Sequence, residues 1–68
     1  QQHNKATSAI VFASSVVVKS EPQEESKDLF ALHEGTKIDI LGVDGEWYKV
    51  RIADGSVGWM RLNTVRII

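Results

Sequence analysis

The chain has no cysteine. A disulfide framework and a thiolate zinc site are therefore excluded as staples of a small domain, and the absence fits any redox compartment. Charge of one sign is also missing: eight Lys and Arg stand against nine Asp and Glu, for a net −1. That balance argues against a strongly cationic nucleic-acid binder. Proline occurs once, at Pro22. No apolar run reaches the roughly 18 residues of a membrane span. Nor do apolar residues hold a 3.6-residue period over several turns, so no amphipathic helix is expected. What is present is 68 residues, room for one small domain and not for two. Hydrophobic residues at 43% and charged residues at 25% make this a globular rather than a disordered composition. The chain begins at Gln1, which reads as a piece of a longer protein, and such a piece would not show a signal peptide.

Gln1 to Ser8 are polar and without period, and read as a linker or chain edge (1–8), leaving 9–68 as the domain. Ala9 to Ala13 and Ser15 to Val18 are rich in β-branched residues and suit strands or an extended arm. Lys19 to Asp28 carries Glu21, Pro22, Glu24, Glu25, Ser26 and Asp28 with almost nothing apolar. It predicts an exposed, mobile, non-helical loop. Leu29, Phe30 and Leu32 return the chain to a core, and Glu34-Gly35 signals a turn. Lys37 to Leu41 alternates with period two, placing Ile38 and Ile40 inward. Gly42 to Gly45 reads as a turn, Glu46 to Ile52 as a strand, Ala53-Asp54-Gly55 as a hairpin loop, and Ser56 to Arg61 as the return strand. Val65 to Ile68 is a last short strand. The expected fold is all-β, about five short strands, which at this size do best closed into a barrel that hides their edges. Its core is expected from Val17, Phe30, Leu32, Ile38, Ile40, Val50, Ile52, Met60 and Val65.

The run Leu29-Phe30-Ala31-Leu32-His33-Glu34-Gly35-Thr36-Lys37-Ile38-Asp39-Ile40-Leu41 resembles the stretch after the long loop of bacterial SH3 (SH3b) domains. Gly45-Glu46-Trp47-Tyr48-Lys49-Val50-Arg51, Asp54-Gly55 and Val57-Gly58-Trp59-Met60 resemble that family's second half, with the Gly-Trp pair the most telling part. The resemblance runs from about Ser15 to Ile68. Within the family the chain is also similar to the SH3 domain at the end of tetratricopeptide-repeat proteins encoded with bacterial aerotolerance operons. It implies a small SH3-like barrel of about five strands with Lys19 to Asp28 as the long acidic first loop. It further implies a module, usually of an exported protein, for targeting or protein interaction beside cell-wall hydrolases or repeat domains. Departures from the eukaryotic SH3 pattern are also visible. Flat aromatic rings stack there on polyproline ligands. Here Val16, Val17 and Val18 stand where two of those aromatics belong, and Arg61 and Thr64 stand at the usual proline and tyrosine positions. Binding of proline-rich peptides is accordingly disfavoured.

The candidate ligand-binding residues are Trp47, Trp59, Lys49, Glu21, Glu24, Glu25 and Asp28. Hairpin register decides where the indoles point. A two-residue Asp54-Gly55 turn pairs Val50 with Trp59 and sends the indoles to opposite faces. A three-residue loop pairs Lys49 with Trp59; Trp47, Lys49, Arg51, Val57, Trp59 and Arg61 then share a face, with Tyr48, Val50, Ile52, Gly58 and Met60 inward. The residues alone leave both open, and the resemblance favours the second. Trp47 suits a binding or a structural role equally; for Trp59 the structural role is favoured, since large aromatics dominate small cores. The acidic loop could select amines, guanidiniums or basic peptides, although a solvated loop that guards an edge is the favoured reading. Lys49, Arg51, Arg61 and Arg66 could form a basic patch opposite that loop, but Asp39, Asp44, Glu46 and Asp54 interleave with them, and nucleic acid stays a minor alternative.

His3 and His33 lack metal-ligand spacing. The serines (Ser8, Ser14, Ser15, Ser20, Ser26, Ser56) lie in linkers or turns, without a nucleophile elbow. A barrel this small also lacks volume for a substrate cavity. Neither an enzyme nor a cofactor or metal is expected. The expected function is a non-catalytic, monomeric SH3-like interaction or targeting module in a longer bacterial cell-envelope protein, periplasmic or exported. Its partner would be a peptide, a protein domain or a cell-wall component, not a small-molecule substrate. A purely structural spacer or capping domain is the alternative.

Overall fold

Three valines in succession carry no phase of their own, so the pairing partner decides which face they take. In the computed structural model, which describes residues 7–68, that partner is a strand rich in Leu and Phe. β2 (Ser15–Lys19) pairs antiparallel with β3 (Asp28–His33), with Val16 opposite Leu32 and Val18 opposite Phe30. Val16, Val18 and Leu32 are buried, and Val17 is 42% exposed. The expected placing of Val17 in the core is thus corrected: inward positions in β2 are its two neighbours.

The other strands are β1 (Thr7–Val11), β4 (Lys37–Asp44), β5 (Trp47–Arg51), β6 (Val57–Arg61) and β7 (Val65–Ile67), with a 3₁₀ turn at Leu62–Thr64 before β7. The described residues form one antiparallel sheet in the order β3-β2-β6-β5-β4-β1-β7. Among the described residues seven strands appear in place of about five. The chain bends at Phe12 to Ser14, so that β1 joins β4 and β7 while β2 joins β3 and β6. Hydrogen bonds tie this bend down: the Phe12 N–H donates to the Thr64 carbonyl (3.0 Å), and the Gly35 N–H to the Val11 carbonyl (2.7 Å). β1 begins at Thr7, inside the stretch expected as linker; Gln1 to Ala6 lie outside the described residues. The expected turn at Gly42 to Gly45 is shorter. β4 runs on to Asp44, past a bulge between Ile40 and Gly42, and the turn is Gly45-Glu46.

The core is a cluster of Ala9, Val11, Val16, Val18, Leu32, Ile38, Val50, Met60 and Val65, with Phe30, Ile40, Tyr48 and Ile52 packed against it. Ala9, Val11, Val16 and Val18 were not among the residues expected there. Their strands carry too short an alternation for a face to be read from sequence.

The β5–β6 hairpin settles the register. Lys49 pairs with Trp59, Arg51 with Val57 and Trp47 with Arg61. The Ile52 N–H donates to the Ser56 carbonyl (3.0 Å) and the Gly55 N–H to the Ile52 carbonyl (2.9 Å), leaving Ala53-Asp54-Gly55 as a three-residue loop. Gly55 takes φ +92, the left-handed residue such a loop requires. Asp54 reinforces it, its Oδ1 accepting the Ser56 N–H at 2.8 Å. That backbone hydrogen bond, joined by one from the Ser56 hydroxyl, holds the Asp54 carboxyl below its ordinary range. A carboxyl lowered by folding contributes its stabilisation above the unfolded value and loses it as pH falls through the folded one. Asp54→Ala should therefore lose less stability than wild type on acidification. Thermal melts over a pH series test this, and identical acid limbs in the two proteins would contradict it.

Candidate functional site

Side chains alternate along a strand, so one outer face of β5–β6 carries Trp47, Lys49 and Arg51 facing Arg61, Trp59 and Val57. Two adjacent rows of this face matter. In the first, Trp47 stands opposite Arg61. In the second, Lys49 stands opposite Trp59, and Trp59 is flanked on its other side by Lys19 of β2.

The acidic loop between β2 and β3 is pinned to both rows. Glu24 Oε2 accepts from Arg61 Nη2 at 2.6 Å and from Arg61 Nε at 3.0 Å. Asp28 pairs with Lys19 at the base of the loop. The remaining acids differ. Glu21 accepts from the Gln23 side chain at 2.9 Å, while Glu25 is exposed and makes no ion pair among the described residues. Ser26 braces the turn, its Oγ lying 2.9 Å from the Glu21 carbonyl and 2.8 Å from the Gln23 carbonyl, both acceptors. The segment is non-helical, as its composition predicts, but it is folded onto itself and onto the sheet rather than extended into solvent.

Trp47 departs from the open aromatic floor that a cation-binding groove needs. It is 8% exposed, yet it does not belong to the core cluster. The Arg61 guanidinium lies 4.7 Å from its ring centroid and also reaches Glu46 at 3.4 Å. The chain itself thus supplies a cation over this ring. A stacked cation contributes about 0.5–2 kcal/mol, and exposed ion pairs such as these about 0.2–1 kcal/mol each. The cap is therefore weak beside the core beneath it. Trp59 is half-buried, Lys49 exposed.

The basic residues do not gather into one patch opposite the loop. Arg61 is bound to the loop, Arg51 faces Asp39 at 3.5 Å, and Arg66 sits on the edge strand β7. His33 is exposed at the end of β3; His3 lies outside the described residues. Among the described residues no three His, Cys, Asp or Glu converge as a metal site. A surface depression of about 160 Å³ beside the cap is lined by Glu46, Arg61, Leu62 and Asn63. Another, of about 210 Å³, is lined by Lys37, Ile38, Asp39, Arg51, Ile52 and Ala53. Both are smaller than ordinary small-molecule sites.

Sequence reasoning missed the role of Arg61, although the signal was present. The register that pairs Lys49 with Trp59 also sets Arg61 directly across from Trp47. Facing aromatic and cationic side chains on one sheet face are expected to stack.

The fold and this surface define a small SH3-like β-domain with a long loop docked on its sheet. The family model for the bacterial SH3 domain matches residues 14–65, and the chain belongs to that family. Membership carries a general role as a protein-binding or cell-wall-binding module, generally non-catalytic and typical of exported or cell-envelope proteins. No curated protein matches the chain. No helix among the described residues is long and apolar enough to cross a membrane.

Proposed function

We propose that the domain is a non-catalytic interaction or targeting module of a larger exported or membrane-attached protein, binding a peptide, a cell-wall component or a neighbouring domain. Its contact surface is the junction of the acidic loop with the outer face of β5 and β6. The observation that supports this reading is the pinning of the loop through Glu24–Arg61 and Asp28–Lys19. Strand pairing sets Trp47–Arg61 and Lys49–Trp59–Lys19 in two neighbouring rows, and the loop pinned to them forms an acidic rim in which Glu21 and Glu25 make no salt bridge among the described residues. The partner of such a rim is cationic or amine-bearing. Proline-rich peptides find Val16 to Val18, Arg61 and Thr64 in place of much of their aromatic platform.

Calorimetric titration with a basic peptide, an amine-bearing cell-wall fragment and a proline-rich peptide tests the reading. Either of the first two should bind, more weakly as salt rises, because exposed charges are screened within about 8–10 Å. Binding of the proline-rich peptide alone would overturn it. The burial of Trp47 favours a second reading, a structural spacer or capping domain without a ligand. Silence from all three ligands would favour that one.

A further inference from the structure

We propose that Arg61 is a built-in plug of the Trp47 site: the ring is held shut by the chain's own guanidinium, and a partner reaches it only after Arg61 and the loop tip let go. This rests on the reading of the loop–sheet junction as the contact surface. Trp47 is nearly as buried as a core residue, yet it stands outside the core cluster. Its cover includes Arg61, which is held by the ring at 4.7 Å, by Glu24 at 2.6 Å and by Glu46 at 3.4 Å.

Every charged group in this cover is itself wet. The side chains of Arg61, Glu24 and Glu46 are 37%, 61% and 82% exposed. Contacts of this kind are screened and break without disturbing the core. The loop has a second fastening at its base, Asp28 to Lys19, whose lysine side chain is only 15% exposed. Release of Glu24 therefore frees the loop tip while the base stays attached. The plug also matches the chemistry the site would meet, because a partner's guanidinium or ammonium would occupy the place Arg61 now fills. Affinity for any ligand that uses the ring is then reduced by the fraction of molecules that are open. A plug closed ten to one would hide about tenfold in affinity, which its removal would restore.

The test compares wild type with Arg61→Gln and, as a second variant, Glu24→Gln, each checked for folding by circular dichroism. The readout is relaxation of the Trp47 ring protons by a soluble paramagnetic agent, with Trp59 resolved in the same spectrum as internal reference. Ring relaxation at Trp47 should rise severalfold in both variants and stay constant at Trp59. High salt should raise it in wild type but not in Arg61→Gln. A Trp47 ring equally shielded in wild type and in both folded variants, at low and high salt, overturns the plug. Titration of a basic peptide into both variants then separates the two readings. Tighter binding than wild type in Glu24→Gln, which loses an acidic charge and would otherwise bind a basic peptide more weakly, supports both, whereas an opened ring that binds nothing leaves the plug standing and removes the contact-surface reading.

Discussion

Gly58→Ala should come close to unfolding the domain. A Cβ at this position would stand 2.3 Å from Val18 Cγ1, 3.0 Å from the Lys19 carbonyl oxygen and 3.3 Å from Leu29 Cδ1. Leu29 is 43% exposed and can swing aside, but the two nearer neighbours do not yield easily. Val18 is fully buried, and its branched side chain has little rotamer freedom. The Lys19 carbonyl is backbone of the adjoining strand, next to the one residue pair, Lys19 with Trp59, through which β2 meets β6. Overpacking a filled core costs about 1–3 kcal/mol, against the roughly 3–5 kcal/mol that a core of this size supplies. The melting midpoint should fall by about 10–20 °C. A midpoint within a few degrees of wild type would show that β2 and β6 are not packed this closely. The Gly-Trp pair visible in the sequence thus has a physical reason: the glycine lets two strands approach, and the tryptophan beside it covers the outer face.

Met60→Ala should have a comparable effect by the opposite route. Met60 is fully buried, opposite Tyr48 in the ladder and packed in the main cluster. Deleting a buried Met side chain costs about 2–5 kcal/mol, from lost transfer energy and from the cavity left behind. The informative control is Val17→Ala. Alternation read from the family pattern places Val17 inside, whereas pairing with Ala31 leaves it 42% exposed. Substitution there should cost no more than about 0.5 kcal/mol. Denaturant melts of the two variants separate the cases, and equal losses would mean that the faces of β2 are reversed.

These two positions show how far the sequence reaches. Where apolar and polar residues alternate over several positions, as in Lys37 to Leu41 and Glu46 to Ile52, the inward set follows from the residues, and Ile38 and Val50 are buried as expected. Where the run is uniformly apolar, as in Val16 to Val18, only the partner strand fixes the phase. The hairpin register needed one further fact, the loop length at Ala53-Asp54-Gly55, and once that is known the whole outer face follows. The candidate residues were legible as a set of residue types and not as an arrangement. Glu24 and Arg61 lie 37 residues apart, and nothing local in the chain joins them. Reading the loop as solvated charge missed that two of its carboxylates are committed to cations of the sheet.

The claim that the loop–sheet junction is the contact surface is tested most directly by mapping amide and indole shifts during titration with a basic peptide or an amine-bearing cell-wall fragment. Shifts should concentrate in residues 21–28, in the Trp47 and Trp59 indoles, and in Lys49 and Arg61. Shifts confined instead to β7, β1 and β4, around Arg66, Ile10 and Lys37, would contradict it.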